Sequence, residues 1–186
     1  MVKRDPHSIH AIFIHGNGGA TANDFWLPQA ARDLRAAGLR VTNETFPDND
    51  LARAEVWLPH LDKIGADDHT VIIGHSSGAI AALRYAERHK LLGSVLIGAY
   101  HTDLGDEGER DSGYFDHGWD WPAIKANQQF VMQYASIDDP YIPIEEARFI
   151  QEQLDTNYHE HHNRGHYMTK QFPELVPALL KQLQIG

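Results

Sequence analysis

A short motif near the middle of the chain carries the side chain best suited to nucleophilic chemistry. Residues 74–78 read Gly-His-Ser-Ser-Gly, which matches the G-x-S-x-G pattern of a nucleophile elbow with Ser76 at its centre. An apolar β-branched run at 71–73 precedes the motif, and an alanine-rich helix-forming segment follows it. The pattern is short and also occurs by chance in loops rich in glycine and serine. The predicted order of strand, sharp turn and helix favours the functional interpretation.

A serine hydroxyl is a poor nucleophile at neutral pH, so a neighbouring base must take its proton and an acid must orient that base. In hydrolases with an elbow these residues follow the order serine, acid, histidine. The chain offers Ser76, then Asp138 or Asp139, then His166. We prefer Asp139, because Pro140 fixes the turn that projects it after an apolar strand. Asp138 is better suited to accept a hydrogen bond within the turn.

The chain has 13 histidines, so the choice of base needs an argument. His166 follows Gly165 in the loop between the last predicted strand and the last predicted helix, at the sheet edge that Ser76 also occupies. A second group, His159, His161 and His162, lies on or beside a polar strand, where such a pattern is typical of a solvated face. We therefore predict no metal site. Two further histidines beside the motifs, His15 and His75, are expected to bond to backbone groups and to act structurally.

A glycine-rich loop follows the first predicted strand and reads His15-Gly16-Asn17-Gly18-Gly19. Such a loop can expose backbone N–H groups, and in elbow hydrolases it supplies one donor of the oxyanion hole. We expect the backbone N–H groups of Asn17 and Ser77 to be the two donors. The alternative is a phosphate-binding loop, but the last glycine of G-x-G-x-x-G is missing and no Gly-Lys-Ser/Thr follows.

Apolar strands alternate with amphipathic helices along most of the chain, which predicts an α/β protein with a doubly wound parallel sheet. Strands are predicted at 9–14, 39–46, 71–73 (directly before the elbow at 74–78), 93–99, 130–135 and 156–161. Helices are predicted at about 24–37, from about 50 with a kink or end at Pro59, from the elbow to about 90, at 145–154 and at 173–183. Trp57 is expected in the core. No repeat or linker divides the chain, so one domain is predicted over 1–186.

Residues 100–127 interrupt this rhythm with an acidic stretch and a group of aromatic residues. Because the segment follows the carboxyl end of a predicted strand, it is interpreted as a cap over a pocket. The candidate substrate contacts are the aromatic residues Tyr114, Phe115, Trp119 and Trp121. The alternative is a surface excursion whose aromatic residues fill a small core of their own.

Composition excludes several classes of protein. The formal net charge of −10, from 16 basic and 26 acidic residues, argues against a nucleic-acid partner. The absence of cysteine excludes disulfides and a thiol nucleophile. No apolar run approaches the ~18 residues of a membrane span, and the N-terminus has no apolar signal region, so a cytoplasmic protein is expected.

Several longer stretches carry a resemblance to a known family. They are the loop at 15–19, Trp57-Leu58-Pro59, residues 74–82, 84–87, 103–107, 112–115 and 138–140. Together they resemble the small serine hydrolases related to retinoblastoma-binding protein nine over nearly the whole chain. The resemblance implies a compact α/β-hydrolase fold, with a mostly parallel sheet of about six strands and helices on both faces.

The same resemblance implies a triad that maps onto Ser76, Asp139 and His166, and hydrolysis of small esters or amides without a metal or organic cofactor. Retinoblastoma binding is not implied, because the motif Leu-x-Cys-x-Glu needs a cysteine that this chain lacks. Two other functions stay open at this point. One is a non-catalytic module that binds a ligand or protein on the same fold, and the other is an acyltransferase.

Overall fold

A computed structural model describes residues 4–185, and its centre is one sheet of six parallel strands. The strands are β1 His10–Ile14, β2 Arg40–Asn43, β3 Thr70–His75, β4 Gly93–Ile97, β5 Val131–Ser136 and β6 Asn157–His161. Their order across the sheet is β2-β1-β3-β4-β5-β6. The predicted α/β class and parallel sheet are confirmed.

Within residues 4–185, seven α-helices connect or flank these strands. They are α1 Leu27–Ala36, α2 Ala54–Lys63, α3 Ser77–Ala86, α4 Glu107–Asp111, α5 Trp121–Ala126, α6 Ile144–Leu154 and α7 Leu175–Leu183. The first helix begins later than expected, because the Thr21 backbone N–H donates to Asp24 Oδ2 at 2.7 Å and closes a separate turn ahead of it. Pro59 lies inside α2 and does not end it. The short helices α4 and α5, within 100–127, were not predicted.

Alternating side chains of the strands form two separate cores. Ile12 and Ile72 point to the face covered by α2, α3, α5 and α6, whereas Phe13 and Ile73 point to the face covered by α1 and α7. This is the period-two alternation of a strand, with helices on both sides of the sheet. Trp57 is fully buried in the first core, where its indole N–H donates to the Pro47 carbonyl at 2.7 Å.

The strand order brings the candidate residues to one place. From β1 the sheet grows outward to β2 on one side and to β3, β4, β5 and β6 on the other. The connections after β1 and β3 therefore diverge and leave a crevice at the carboxyl ends of the strands, where open α/β sheets bind their ligands. In the part of the chain that the structure describes, no helix has the length and apolar character to cross a membrane.

Candidate active site

The turn between β3 and α3 is as tight as its glycines suggest. A Cβ atom on Gly74 would lie 2.3 Å from the Gly78 carbonyl oxygen, and one on Gly78 would lie 2.4 Å from the Ile14 oxygen. Ser76 adopts φ 55° and ψ −122°, a conformation that costs a non-glycine residue free energy. Its backbone N–H is held by the Ile97 carbonyl at 2.9 Å. The turn therefore holds Ser76 at the head of α3.

The glycine-rich loop after β1 lies directly against this turn. A Cβ atom on Gly16 would be 3.4 Å from the Ser76 Cβ, which is a van der Waals contact distance, so the loop lies against the serine. The His15 ring donates from Nδ1 to the Gly16 carbonyl at 2.7 Å and accepts the Phe46 N–H at Nε2 at 2.9 Å. Burial lowers the pKa of His15, which keeps the ring neutral.

This arrangement fixes the direction of one backbone donor. In a planar trans peptide the carbonyl and the following N–H point in opposite directions. By holding the Gly16 carbonyl, His15 therefore turns the Asn17 N–H away from itself. Among residues 4–185, neither the Asn17 N–H nor the Ser77 N–H donates to another backbone or side-chain group. The two predicted oxyanion donors are therefore available to bind a ligand oxygen.

The predicted base and acid are paired. His166 Nδ1 and Asp139 Oδ2 are 2.7 Å apart, and both side chains are almost completely buried. Because a carboxylate only accepts, Nδ1 carries a proton, and in the neutral ring Nε2 then presents its lone pair. The other Asp139 oxygen accepts the N–H groups of Tyr141 and Ile142. Burial raises the Asp139 pKa, but the His166 and backbone hydrogen bonds outweigh it and leave the pKa below its ordinary value.

Asp138 has the separate role that the sequence suggested. Its carboxylate accepts the Ser136 hydroxyl at 2.5 Å and the Gly165 N–H at 2.8 Å. These bonds tie the end of β5 to the loop that carries His166. Asp138 makes no hydrogen bond to the His166 ring within the described chain.

Two residues around His166 were not predicted to contact it. A Cβ atom on Gly98, which has φ +62°, would lie 3.0 Å from His166 Cε1, so a glycine after β4 makes room for the ring. The neutral His75 donates from Nε2 to the His166 carbonyl at 2.8 Å. Burial lowers the pKa of His75 to about 3, and the nearby His166 adds to that effect. The sequence signals were a glycine after an apolar strand and a histidine beside the elbow serine.

Ser76 and His166 open into the same cleft of about 550 Å³. Its lining comes from the connections after five strands. These residues are Gly16, Asn17, Gly18, Ala20, Phe25, His75, Ser76, Tyr100, Leu104, Asp106, Glu109, Pro140, Tyr141, Ile142, His166 and Met168. In the described chain the Ser76 hydroxyl forms no hydrogen bond. Catalytic hydrogen bonds are often loose before substrate binds, and the hydroxyl is free to turn.

The aromatic residues predicted to line the pocket lie elsewhere, and that prediction is corrected. Tyr114 is buried in the core on the α3 face, and Phe115, Trp119 and Trp121 pack against the same core. None of the four belongs to the lining of the cleft among the described residues. The alternative, in which these side chains fill a small core of their own, does not describe the structure either, because they join the main core on the α3 face.

The physical reason for this correction is Arg84 on α3. Its buried guanidinium donates to the backbone carbonyls of Tyr114, His117 and Gly118 and lies 3.6 Å from the centroid of the Trp119 ring. A buried cation needs acceptors for its N–H groups; Glu87 supplies one at 2.7 Å, and the backbone of this segment supplies the others. These contacts hold the aromatic part of 100–127 against α3, away from the cleft.

The first part of 100–127 does reach the cleft, through Tyr100, Leu104, Asp106 and Glu109. It is anchored from α6 by Glu146, which accepts the backbone N–H groups of His101 and Thr102. Burial raises the pKa of Glu146, but the hydrogen bonds from these two residues outweigh it and lower the pKa to about 2.

Two of the other histidines, His159 and His161, lie on the edge strand β6. His159 stacks on the Tyr134 ring with centroids 4.6 Å apart, and His161 Nδ1 is 2.8 Å from the Tyr167 hydroxyl. A separate exposed group, Asp67, Asp68 and His69, brings one ligand atom each to within 4.8 Å, outside the lining of the cleft.

Comparison with known proteins identifies the family to which this fold and site belong. The model of the serine hydrolase family matches residues 11–184, and the chain belongs to that family. Serine hydrolase RBBP9 of Rattus norvegicus is 40% identical over 176 residues, which are 93% of this chain and 95% of that protein.

Solved structures share the fold. The ydeN gene product of Bacillus subtilis superposes with a TM-score of 0.84 at 23% identity, covering 93% of this chain and 97% of that one. A protein of the alpha/beta superfamily of hydrolases, XCC1541 from Xanthomonas campestris pv. campestris, gives 0.72 at 15% identity, covering 95% and 98%. The α/β-hydrolase fold and the family resemblance are confirmed.

Proposed function

We propose that this serine hydrolase cleaves a small ester or amide through a Ser76–Asp139–His166 triad and an acyl-enzyme intermediate. The observation that carries the proposal is the strained Ser76 in one cleft with His166, whose ring is oriented by Asp139 at 2.7 Å. Membership of the family supports the hydrolase activity, and the contacts around the cleft support these residue roles.

In the first half of the reaction, Ser76 Oγ attacks the substrate carbonyl carbon while His166 Nε2 takes the hydroxyl proton. The negative charge that develops on the carbonyl oxygen is stabilised by the N–H groups of Asn17 and Ser77. Asp139 stabilises the imidazolium that forms. His166 then gives its proton to the departing alcohol or amine, and the acyl group stays on Ser76.

In the second half, water replaces the leaving group. His166 Nε2 takes a proton from water, the hydroxide attacks the acyl carbon, and the same two N–H groups again hold the oxyanion. Collapse of this intermediate releases the carboxylic acid, and His166 returns the proton to Ser76 Oγ. Neither half needs a metal or an organic cofactor.

The cleft suits a small substrate. Its volume of about 550 Å³ falls within the ~300–1,000 Å³ of pockets for small molecules. Apolar side chains such as Phe25, Leu104, Tyr141 and Met168 form much of its wall. They can take an apolar acyl or leaving group.

Hydrolysis of a chromogenic ester tests the proposal. We expect Ser76→Ala to lower kcat by at least ~10³-fold while the free energy of unfolding changes little, because only the nucleophilic oxygen is lost. Ser94→Ala is the matched control, since the Ser94 hydroxyl is buried in β4 without a hydrogen-bond partner among the described residues. Full activity of Ser76→Ala would contradict the proposal.

Product analysis separates hydrolysis from acyl transfer. With water as acceptor, added alcohols or amines leave the acid as the main product. A folded protein that turns over no ester and reacts with no serine probe would instead indicate a binding module.

We further propose that the chain forms one domain over 1–186, and that residues 100–109, the first part of the expected cap at 100–127, cover the cleft. The support is the single sheet and the four cleft-lining residues of that segment. The cytoplasmic location and the absence of a nucleic-acid partner stay predictions.

A further inference from the structure

Glu109, on the short helix α4, joins two parts of the cleft that the sequence keeps far apart. One carboxylate oxygen accepts the Asn17 side-chain amide at 2.9 Å, and the other accepts the Tyr100 hydroxyl at 2.7 Å. Tyr100 in turn lies 3.4 Å from the Ser77 hydroxyl. Because the Tyr100 proton goes to Glu109, the Ser77 hydroxyl donates to Tyr100. The carboxylate thus connects the residues that flank the proposed oxyanion site on both sides.

The glycine-rich loop needs such connections. Gly16, Gly18 and Gly19 surround Asn17, and the last two have φ of +66° and +78°. Glycine gives the backbone the most freedom of any residue, so a donor within this loop is not held by local sterics. A donor stabilises a transition state well only when it is held in place before the reaction.

Other contacts hold the loop on either side of Asn17. His15 fixes the Gly16 carbonyl, and the N–H groups of Gly18 and Gly19 donate to the carbonyls of Asp50 and Asn49 at 2.9 and 3.1 Å. In the described chain, the Asn17 side chain itself is held by Glu109 alone. The contact from α4 therefore completes the fixation of the loop.

We propose that Glu109 is a positioning residue for the oxyanion hole, acting through the side chain of Asn17 and through Tyr100. It touches no reacting atom. It holds the Asn17 peptide where its N–H meets the developing oxyanion, and it couples the cap segment to that donor. The inference rests on the proposed function, because it assigns the oxyanion donors to Asn17 and Ser77.

Steady-state kinetics on an ester, with three single variants, tests this role. Glu109→Ala removes both bonds and is expected to lower kcat about 10–100-fold with KM within about threefold, because a misplaced donor weakens transition-state binding. Glu109→Gln can accept from Asn17 and donate to Tyr100, so it should keep kcat within about threefold of the wild type. Glu107→Ala, an exposed residue of the same helix, is the control and should match the wild type.

A double-mutant cycle adds an independent readout. Asn17→Ala keeps the backbone N–H but removes the amide that Glu109 holds. It should lose nearly as much kcat as Glu109→Ala, and the double variant should be little worse than either single one.

Three results would overturn the inference: Glu109→Ala behaving like Glu107→Ala, a loss confined to KM, or Glu109→Gln no better than Glu109→Ala. Failure of the proposed function is distinguishable, since Ser76→Ala would then stay active whatever the variants at 109 do.

Discussion

At the scale of single residues, two adjacent aspartates have different tasks. Asp139 holds the Nδ1 proton of His166, whereas Asp138 braces the loop through Ser136 and Gly165. The sequence indicated this division, because Pro140 follows one aspartate and a turn surrounds the other. It could not indicate Glu109, whose role depends on contacts with side chains distant in sequence.

Replacing each aspartate by asparagine tests the division. In Asp139→Asn the new amide can donate to His166 Nδ1, which favours the tautomer with the proton on Nε2 and removes the base. We expect kcat to fall about 10³–10⁴-fold, as in other serine triads with a neutralised acid. Asp138→Asn should lose less than about tenfold. Equal losses in the two variants would contradict the assignment of the acid.

At the scale of elements, local patterns predicted the strands and the elbow. They did not predict which side of the molecule the aromatic residues of 100–127 pack against. Apolar runs and glycine spacing are local signals, so β1, β3 and the turn at Ser76 were predictable. The sequence pattern of aromatic residues in a polar loop is the same whether their side chains cover a cleft or pack against a helix. Arg84 decides between these arrangements through its bonds to three distant carbonyls, and no local pattern carries that information.

Because the elbow packs closely against β1, we expect that a single methyl group added at Gly78 strongly lowers the stability of the fold. Gly78→Ala would place a Cβ atom 2.4 Å from the Ile14 carbonyl oxygen, so backbone must move. We expect a loss of about 3 kcal/mol or more in the free energy of unfolding, beyond ordinary overpacking. Gly118→Ala, with no atom within 4 Å of the added carbon, should change it by less than about 1 kcal/mol. Urea denaturation measures both, and similar losses would refute the tight-turn argument.

At the scale of the whole molecule, the buried histidines make folding sensitive to acid. The folded pKa of His75 is about 3, against an ordinary value of 6.5, because the ring is fully buried beside His166. The unfolded chain therefore binds more protons than the folded one between these pH values. The stabilising contribution of the neutral ring is complete above pH 6.5 and is lost as the pH falls toward 3.

Urea denaturation as a function of pH checks this sign. From about pH 6.5 to about pH 4.5 we expect the free energy of unfolding to fall by roughly 2–3 kcal/mol from His75 alone, at about 1.4 kcal/mol per pH unit. High salt in all samples screens the surface charges. The variant His75→Gln cannot take up this proton, so its stability should depend less on pH. Identical pH dependence in both proteins would show that His75 does not carry the effect.

The most direct measurement of the central claim is labelling of the folded protein with a fluorophosphonate probe, followed by mass mapping of the modified peptide. The activated Ser76 Oγ should displace fluoride and form a phosphorus–oxygen bond. We predict that the probe mass lies on Ser76, that Ser94→Ala labels normally, and that Ser76→Ala does not label at all. Labelling that persists in Ser76→Ala, or a probe mass on a different residue, would contradict the account of this cleft as a serine-hydrolase active site.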